Sequence, residues 1–133
     1  MGWTFDFYFN RATAAHVIND MHNKLRQITT QEAASAKVGH SDAKESNARG
    51  AVIYNKGAGP MPAHNLTGAW QQKTWTTPGG NDQYKLLLSQ VCNWLDGNGD
   101  IPITESEAAH AKFSLSDFAG GTCYMVLFWQ KAM

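Results

Sequence analysis

Trp3, Phe5, Phe7 and Phe9 alternate with Thr4, Asp6 and Tyr8. A period of two with one strongly apolar face predicts a half-buried strand over 3–9. Asn10 then stands as a candidate N-cap, and the period changes. Ala14, Val17, Ile18, Met21, Leu25 and Ile28 recur at three- and four-residue steps. That spacing predicts an amphipathic helix over 11–27, with Asn19, Asp20, Asn23, Lys24 and Arg26 on its polar face. Residues 29–48 are small and polar, which predicts a weak helix and then an irregular link. Ala48–Asn55 reads as a strand. Two Gly and two Pro between Lys56 and Pro62 require a loop.

Farther along, 66–76 predicts a strand carrying Trp70 and Trp75, closed by a turn at Thr77-Pro78-Gly79-Gly80-Asn81-Asp82. The stretch 84–95, with Leu86, Leu87, Leu88, Val91 and Leu95, fits a helix face or a buried strand equally well. Asp96-Gly97-Asn98-Gly99-Asp100 is a turn. Residues 104–111 predict one or two helical turns. Phe113, Leu115 and Phe118 lead through Gly120-Gly121 into the apolar run 122–130, predicted as a hairpin whose second strand is buried on both faces or nearly so. These elements give one domain over 1–133 of α+β, β-rich class. Its antiparallel sheets are sandwich-like, with an amphipathic helix near the N-terminus. The first and last strands are expected in one sheet, with the 11–27 helix packed on it.

Composition narrows the function. Eleven basic and eleven acidic side chains cancel, which excludes nucleic acid as the main partner, because phosphate binding needs clustered excess Lys and Arg. No apolar run approaches the roughly 20 residues of a membrane span. The first residues lack the basic and apolar regions of a secretory signal. That leaves a cytoplasmic protein, leaderless export or a trimmed chain. Two cysteines, Cys92 and Cys123, make at most one bridge, so this is no disulfide scaffold. They are expected to be reduced or buried.

Chemistry is sparse. Asp96, Asn98, Asp100 and Glu107 fall at positions 1, 3, 5 and 12 of a calcium loop, but Ile101 occupies the place that requires Gly, so a plain turn is the preferred reading. His16, His22, His40, His64 and His110 lack metal-ligand spacing. No nucleophile elbow or phosphate loop is present. Nothing singles out Asp6, Asp20, Glu107 or His110 as acid–base groups. The reading is therefore no enzyme, no cofactor and no metal.

Five Trp residues carry more information. Trp70, Trp75 and Trp94 lie beside Gln, Lys, Thr, Asn and Asp, which suits rings apolar at one end and wet at the other. Ala51-Val52-Ile53-Tyr54 followed by Gly59-Pro60 and Gly68 resembles a stretch of the actinoporin-like cytolysins. Leu86-Leu87-Leu88-Ser89-Gln90-Val91, followed by Asn93-Trp94, is similar to that family's apolar strand and aromatic lipid-binding loop. Trp3-Thr4, Tyr8-Phe9 and Lys131-Ala132 fit the same order, and the related fungal fruit-body lectins are of this size. The resemblance implies a β-sandwich that binds lipid head groups or carbohydrate, as in a toxin or defence lectin. Trp94 and Tyr54 carry over as site residues. The chain departs from the family in opening on a strand where the family has its pore-forming helix. It also reads Leu95-Asp96-Gly97-Asn98 where the family has tyrosines.

The expected function is thus a recognition domain for membrane lipid or glycan, with Trp94, Tyr54, Trp70, Trp75 and Asn93 as ligand-binding residues in an exposed cluster. The alternative is a protein-interaction or inhibitor domain of phage or bacterial type. Unpaired sheet edges would let either form a homo-oligomer.

Overall fold

A computed structural model describes residues 2–41, 48–116 and 122–132. Among them are six strands and four helices, in an α+β, β-rich arrangement of two three-stranded antiparallel sheets. In chain order these are β1 (Trp3–Arg11), α1 (Ala14–Gln27), α2 (Thr30–Ser35), β2 (Lys37–Ser41) and β3 (Ala48–Asn55). They continue with β4 (Trp70–Pro78), α3 (Asn81–Leu95), α4 (Glu105–Ala109), β5 (Lys112–Leu115) and β6 (Thr122–Gln130). The first sheet runs β1-β3-β2 and the second β4-β6-β5. The first and last strands therefore lie in different sheets, contrary to expectation. Each sheet is instead built from three strands consecutive in the chain: β1 and β2 flank β3, while β4 and β5 flank β6.

Asn10 does not cap α1. It adopts φ 57 inside β1, where the pairing with β3 shifts register between Tyr8 and Arg11. Asn tolerates that left-handed conformation better than most residues. Thr13 is the cap, its hydroxyl accepting from His16 N at 3.3 Å. The helix then buries Val17 and Met21 against Ala48, Val52 and Tyr54 of β3, forming a small second core. β3 is buried on both faces, because Ala51 and Ile53 point the other way into the main core. At Gly50 a Cβ would overlap the Val17 side chain. Gly50→Ala should therefore destabilise the fold by about 1–3 kcal/mol, the usual cost of overpacking, as read by urea denaturation.

The main core lies between the sheets and α3. The stretch 84–95 resolves as helix. Tyr84, Leu87, Leu88, Val91 and Leu95 form its buried stripe, and Leu86 faces solvent. Tyr84 stacks on Phe7 of β1 at 5.5 Å, and its hydroxyl donates to Ser116 O at 3.0 Å. The buried Arg49 lies over this ring, its guanidinium carbon 5.0 Å from the centroid, and donates from Nε to Asn81 Oδ1 at 2.7 Å. From β6 the core receives Cys123, Met125, Leu127 and Trp129. The alternate residues of β6 are half-buried or exposed, so this strand is buried on one face only, not both.

The link expected after α2 contains β2, whose one apolar side chain is the exposed Val38. β2 packs beside β5 of the second sheet. Gly39 permits that approach: a Cβ there would meet the Phe113 ring at 3.2 Å and Leu115 at 3.4 Å. The β5–β6 hairpin forms as predicted. Phe118 and Gly120-Gly121, expected to lead into the last strand, lie outside the described residues. Cys92 and Cys123 are both buried and form no disulfide. Among the described residues no helix is long and apolar enough to cross a membrane.

Candidate functional site: the outer face of the second sheet

The period of two along β4, β6 and β5 sorts their residues into two faces. Odd positions (Trp75, Met125, Leu127, Trp129, Leu115) go to the core. Even positions share the opposite face, in register: Trp70 pairs with Gln130, Gln72 with Phe128, Thr74 with Val126 and Thr76 with Tyr124. On the other side of β6, Lys112 pairs with Phe128 and Ser114 with Val126. The helices that reach this sheet, α3 and α4, contribute to the core on its odd face, so the even face is open to solvent among the described residues. Trp70 is 51% exposed, Tyr124 48% and Phe128 42%. An open apolar area of this kind is a recognised mark of a binding surface.

The polar groups between the rings are preset. Thr74 Oγ1 donates to Gln72 Oε1 at 2.7 Å. Gln130 Nε2 donates to Gly68 O at 3.1 Å, which ties the end of β6 to the segment entering β4. Trp70 and Phe128 are diagonal neighbours, one pair apart across the ladder, within reach of one ligand ring. Tyr124 lies four residues farther along β6, about 13 Å away at the usual rise per residue. Lys112 is the one charged side chain among these ten positions.

The expected exposed cluster around Trp94 does not form. Trp94 is 6% exposed, and Tyr54 and Trp75 are 9% exposed. Trp94 stands between Trp75 (5.8 Å, edge-on) and Trp129 (6.2 Å), with the Lys73 ammonium 5.1 Å from its ring centroid. The 96–100 turn folds back over its indole, and a Cβ at Gly99 would overlap the ring. Tyr54 is in the second core, beneath α1, with Lys24 Nζ 5.1 Å from its ring. Asn93 is exposed on α3, apart from the open sheet face. Of the five expected residues, only Trp70 lies on that face. Tyr124 and Phe128, exposed on the same face, are not among the residues the sequence reading names.

The calcium-loop residues also serve other ends. Asp96 Oδ1 accepts from Trp3 N at 3.1 Å. Glu107 closes a capping box, its Oε1 accepting from Thr104 N at 2.9 Å while Thr104 Oγ1 accepts from Glu107 N at 3.1 Å. Its second oxygen, Oε2, accepts from Ala132 N at 2.9 Å. Asn98 and Asp100 remain exposed. Among the described residues no three of His, Cys, Asp or Glu are grouped to hold a metal ion. His64 and His110 meet edge-on at 4.7 Å, with His110 Nε2 2.8 Å from Pro62 O. No family model, curated protein or solved structure matches this chain.

Proposed function

We propose that the chain is a non-enzymatic recognition domain that binds carbohydrate on the outer face of its second sheet. The observation that carries this reading is the set of three exposed rings, Trp70, Tyr124 and Phe128, interleaved in register with Gln72, Thr74, Thr76 and Ser114. A sugar offers C–H faces that stack on aromatic rings and hydroxyls that need amide and hydroxyl partners. Both kinds of group alternate here on one rigid surface. The near absence of charge favours a neutral glycan, and the spacing of Tyr124 from Phe128 favours an oligosaccharide over a single sugar.

The same interleaving disfavours a lipid bilayer as ligand. Sinking these rings into hydrocarbon would drag the Thr and Gln side chains with them, and each polar group moved without a partner costs free energy. The test is electrophoretic retardation in gels containing soluble β-glucan, xylan or mannan, with phosphatidylcholine–sphingomyelin vesicles as the second arm. Wild-type protein is expected to be retarded by at least one polysaccharide. Trp70→Ala should weaken that retardation about tenfold or more with an unchanged circular dichroism spectrum, since large anchors dominate such contacts. Equal retardation of wild type and Trp70→Ala would remove this face as the site. Vesicle binding without polysaccharide binding would replace glycan with lipid. A dimer that dissociates on Trp70→Ala would assign the face to self-association.

A further inference from the structure

Away from the sheet face, and sharing no residue with it, two cavities adjoin at one end of the first sheet, where Trp3 pairs with Asn55. One, of about 310 Å³, is walled by Trp3, Asn55, Leu95, Asp96, Ile103 and Glu105. The other, of about 180 Å³, shares Trp3, Asn55 and Glu105 with it and lies against the loop at Pro60, Met61 and Pro62. Joined, they form a cleft of small-molecule size. The loop is held on both sides. Gly57 N donates to Glu32 Oε2 at 2.6 Å, and His110 Nε2 donates to Pro62 O at 2.8 Å. A wall fixed in advance costs a ligand little ordering on binding.

The lining divides by chemistry. Trp3, Leu95, Ile103 and Met61 supply apolar surface. Asp96 and Glu105 supply two carboxylates, and no Lys, Arg or His lines either cavity. Asp96 is fixed in place, its Oδ1 accepting from Trp3 N at 3.1 Å. Lys37 lies behind the wall, where its Nζ donates to Ser35 O at 2.9 Å and Ala109 O at 3.1 Å, so its amine does not enter the cleft. Trp3 adds a donor. It is 8% exposed, and among the described residues no group accepts from its indole N–H. The unpartnered indole N–H groups of Trp94 and Trp129 are sealed in the core, whereas Trp3 lines both cavities. A nearly buried donor without an acceptor is costly, and an oxygen on a ligand relieves that cost.

We propose that the cleft binds a small organic ammonium ion with an aromatic body and one oxygen acceptor. The ammonium is held by Asp96 and Glu105, the body packs on Trp3, Leu95 and Ile103, and the acceptor takes the Trp3 indole N–H. An anion of the same shape meets like charge at both carboxylates, and a neutral analogue leaves them without a counter-charge. Binding is reversible and makes no covalent bond.

The experiment titrates the isotope-labelled wild-type chain with tyramine, with its neutral analogue tyrosol and with the anion phloretate, following amide and indole NMR signals. Each is added to about 10 mM, above the range of a specific small-ligand site. Tyramine should move the Trp3 indole and Asn55 side-chain signals to saturation and bind about tenfold more tightly than tyrosol, while phloretate should leave those signals in place. Glu105→Gln, at an exposed position, should weaken tyramine about threefold and leave tyrosol unchanged. Asp96→Asn, which keeps an oxygen for Trp3 N, should act in the same direction. Trp70→Ala should bind tyramine as the wild type does, because it alters only the sheet face. Tyramine that moves no cleft signal, binds no better than tyrosol, or is indifferent to both carboxylate variants would overturn the proposal. Loss of tyramine binding in Trp70→Ala would place the amine on the sheet face and overturn it equally. Phenethylamine, which lacks the phenol oxygen, should bind more weakly than tyramine; equal affinity would overturn the role assigned to the Trp3 N–H.

Discussion

Glu107→Ala should lower the unfolding free energy by about 3 kcal/mol, with no effect of added calcium on either protein. Glu107 is 1% exposed, and its two oxygens take backbone N–H groups from Thr104 and Ala132, with Lys131 Nζ 3.9 Å away. Burial alone would raise this carboxyl. The Thr104 and Ala132 donors outweigh it, Lys131 adds to them, and the group is held below the usual carboxylate range. Alanine removes the acceptor and leaves donors that were shielded from water unsatisfied, a larger loss than a typical hydrogen bond. Glu107→Gln keeps the shape and one acceptor oxygen and should cost less. The sign in acid follows from linkage. A carboxyl lowered in the folded state stabilises above its unfolded value, and that contribution disappears as pH falls through the folded one. The wild type should therefore lose stability more steeply below about pH 4.5 than Glu107→Ala does. A calcium-dependent rise in melting temperature that Glu107→Ala abolishes would restore the metal loop and sink this account.

Stability should also climb by about 2 kcal/mol between pH 7 and pH 9, and Lys37→Met should flatten the climb. Lys37 titrates near 7 in the folded chain against an ordinary value of 10.5, because burial and Lys112 disfavour its charge. Between those values the unfolded chain binds a proton that the folded chain does not. Raising pH withdraws that advantage from the unfolded state, so folding gains. Below about 7 both states are protonated and the slope vanishes. Cys92 acts with the opposite sign. Burial, with Asp96 adding, pushes its thiol up to about 12 from 9.0, so its contribution is complete below 9 and is lost above it. The curve should therefore level off near pH 9 to 10 and turn down beyond. Chemical denaturation at half-unit steps gives the profile. A flat wild-type curve from pH 7 to 9 would show that Lys37 keeps an ordinary proton affinity.

Much of this fold is legible in two periods. Alternation at Trp3–Phe9 and the three- and four-residue steps after Thr13 specify β1 and α1, because each buries one face against something different. β2 escaped because Lys-Val-Gly-His-Ser has almost no apolar content. Its place comes from pairing with β3 and from the absent Cβ at Gly39, neither of which is written locally. The stretch 84–95 was ambiguous because Leu86-Leu87-Leu88 satisfies both periods; the helix leaves Leu86 outside. The site was partly readable. Trp70 and Trp75 are five residues apart on one strand, so they must face opposite ways, and only one could ever be a surface ring. Tyr124, Val126 and Phe128 form the even set of β6, with the phenol as the sign of a wet face, although the run reads as uniformly apolar. Trp94 had no such sign, since its burial depends on a glycine turn closing from five residues downstream. Lys37 had none either, because its partners are 72 residues away in the case of Ala109.

The strict division of β4, β5 and β6 into two faces has a consequence for how such a surface can diverge. Every buried side chain of this sheet stands at an odd position, and its large exposed rings, Trp70, Tyr124 and Phe128, stand at even ones. A ligand preference can therefore be rewritten at even positions, by trading a Thr for a Ser or a Phe for a Tyr, without disturbing a buried contact. Randomising Gln72, Thr74, Thr76, Val126 and Phe128 in a library leaves the hydrophobic interior untouched. The sheet is in that sense a fixed frame holding an interchangeable panel.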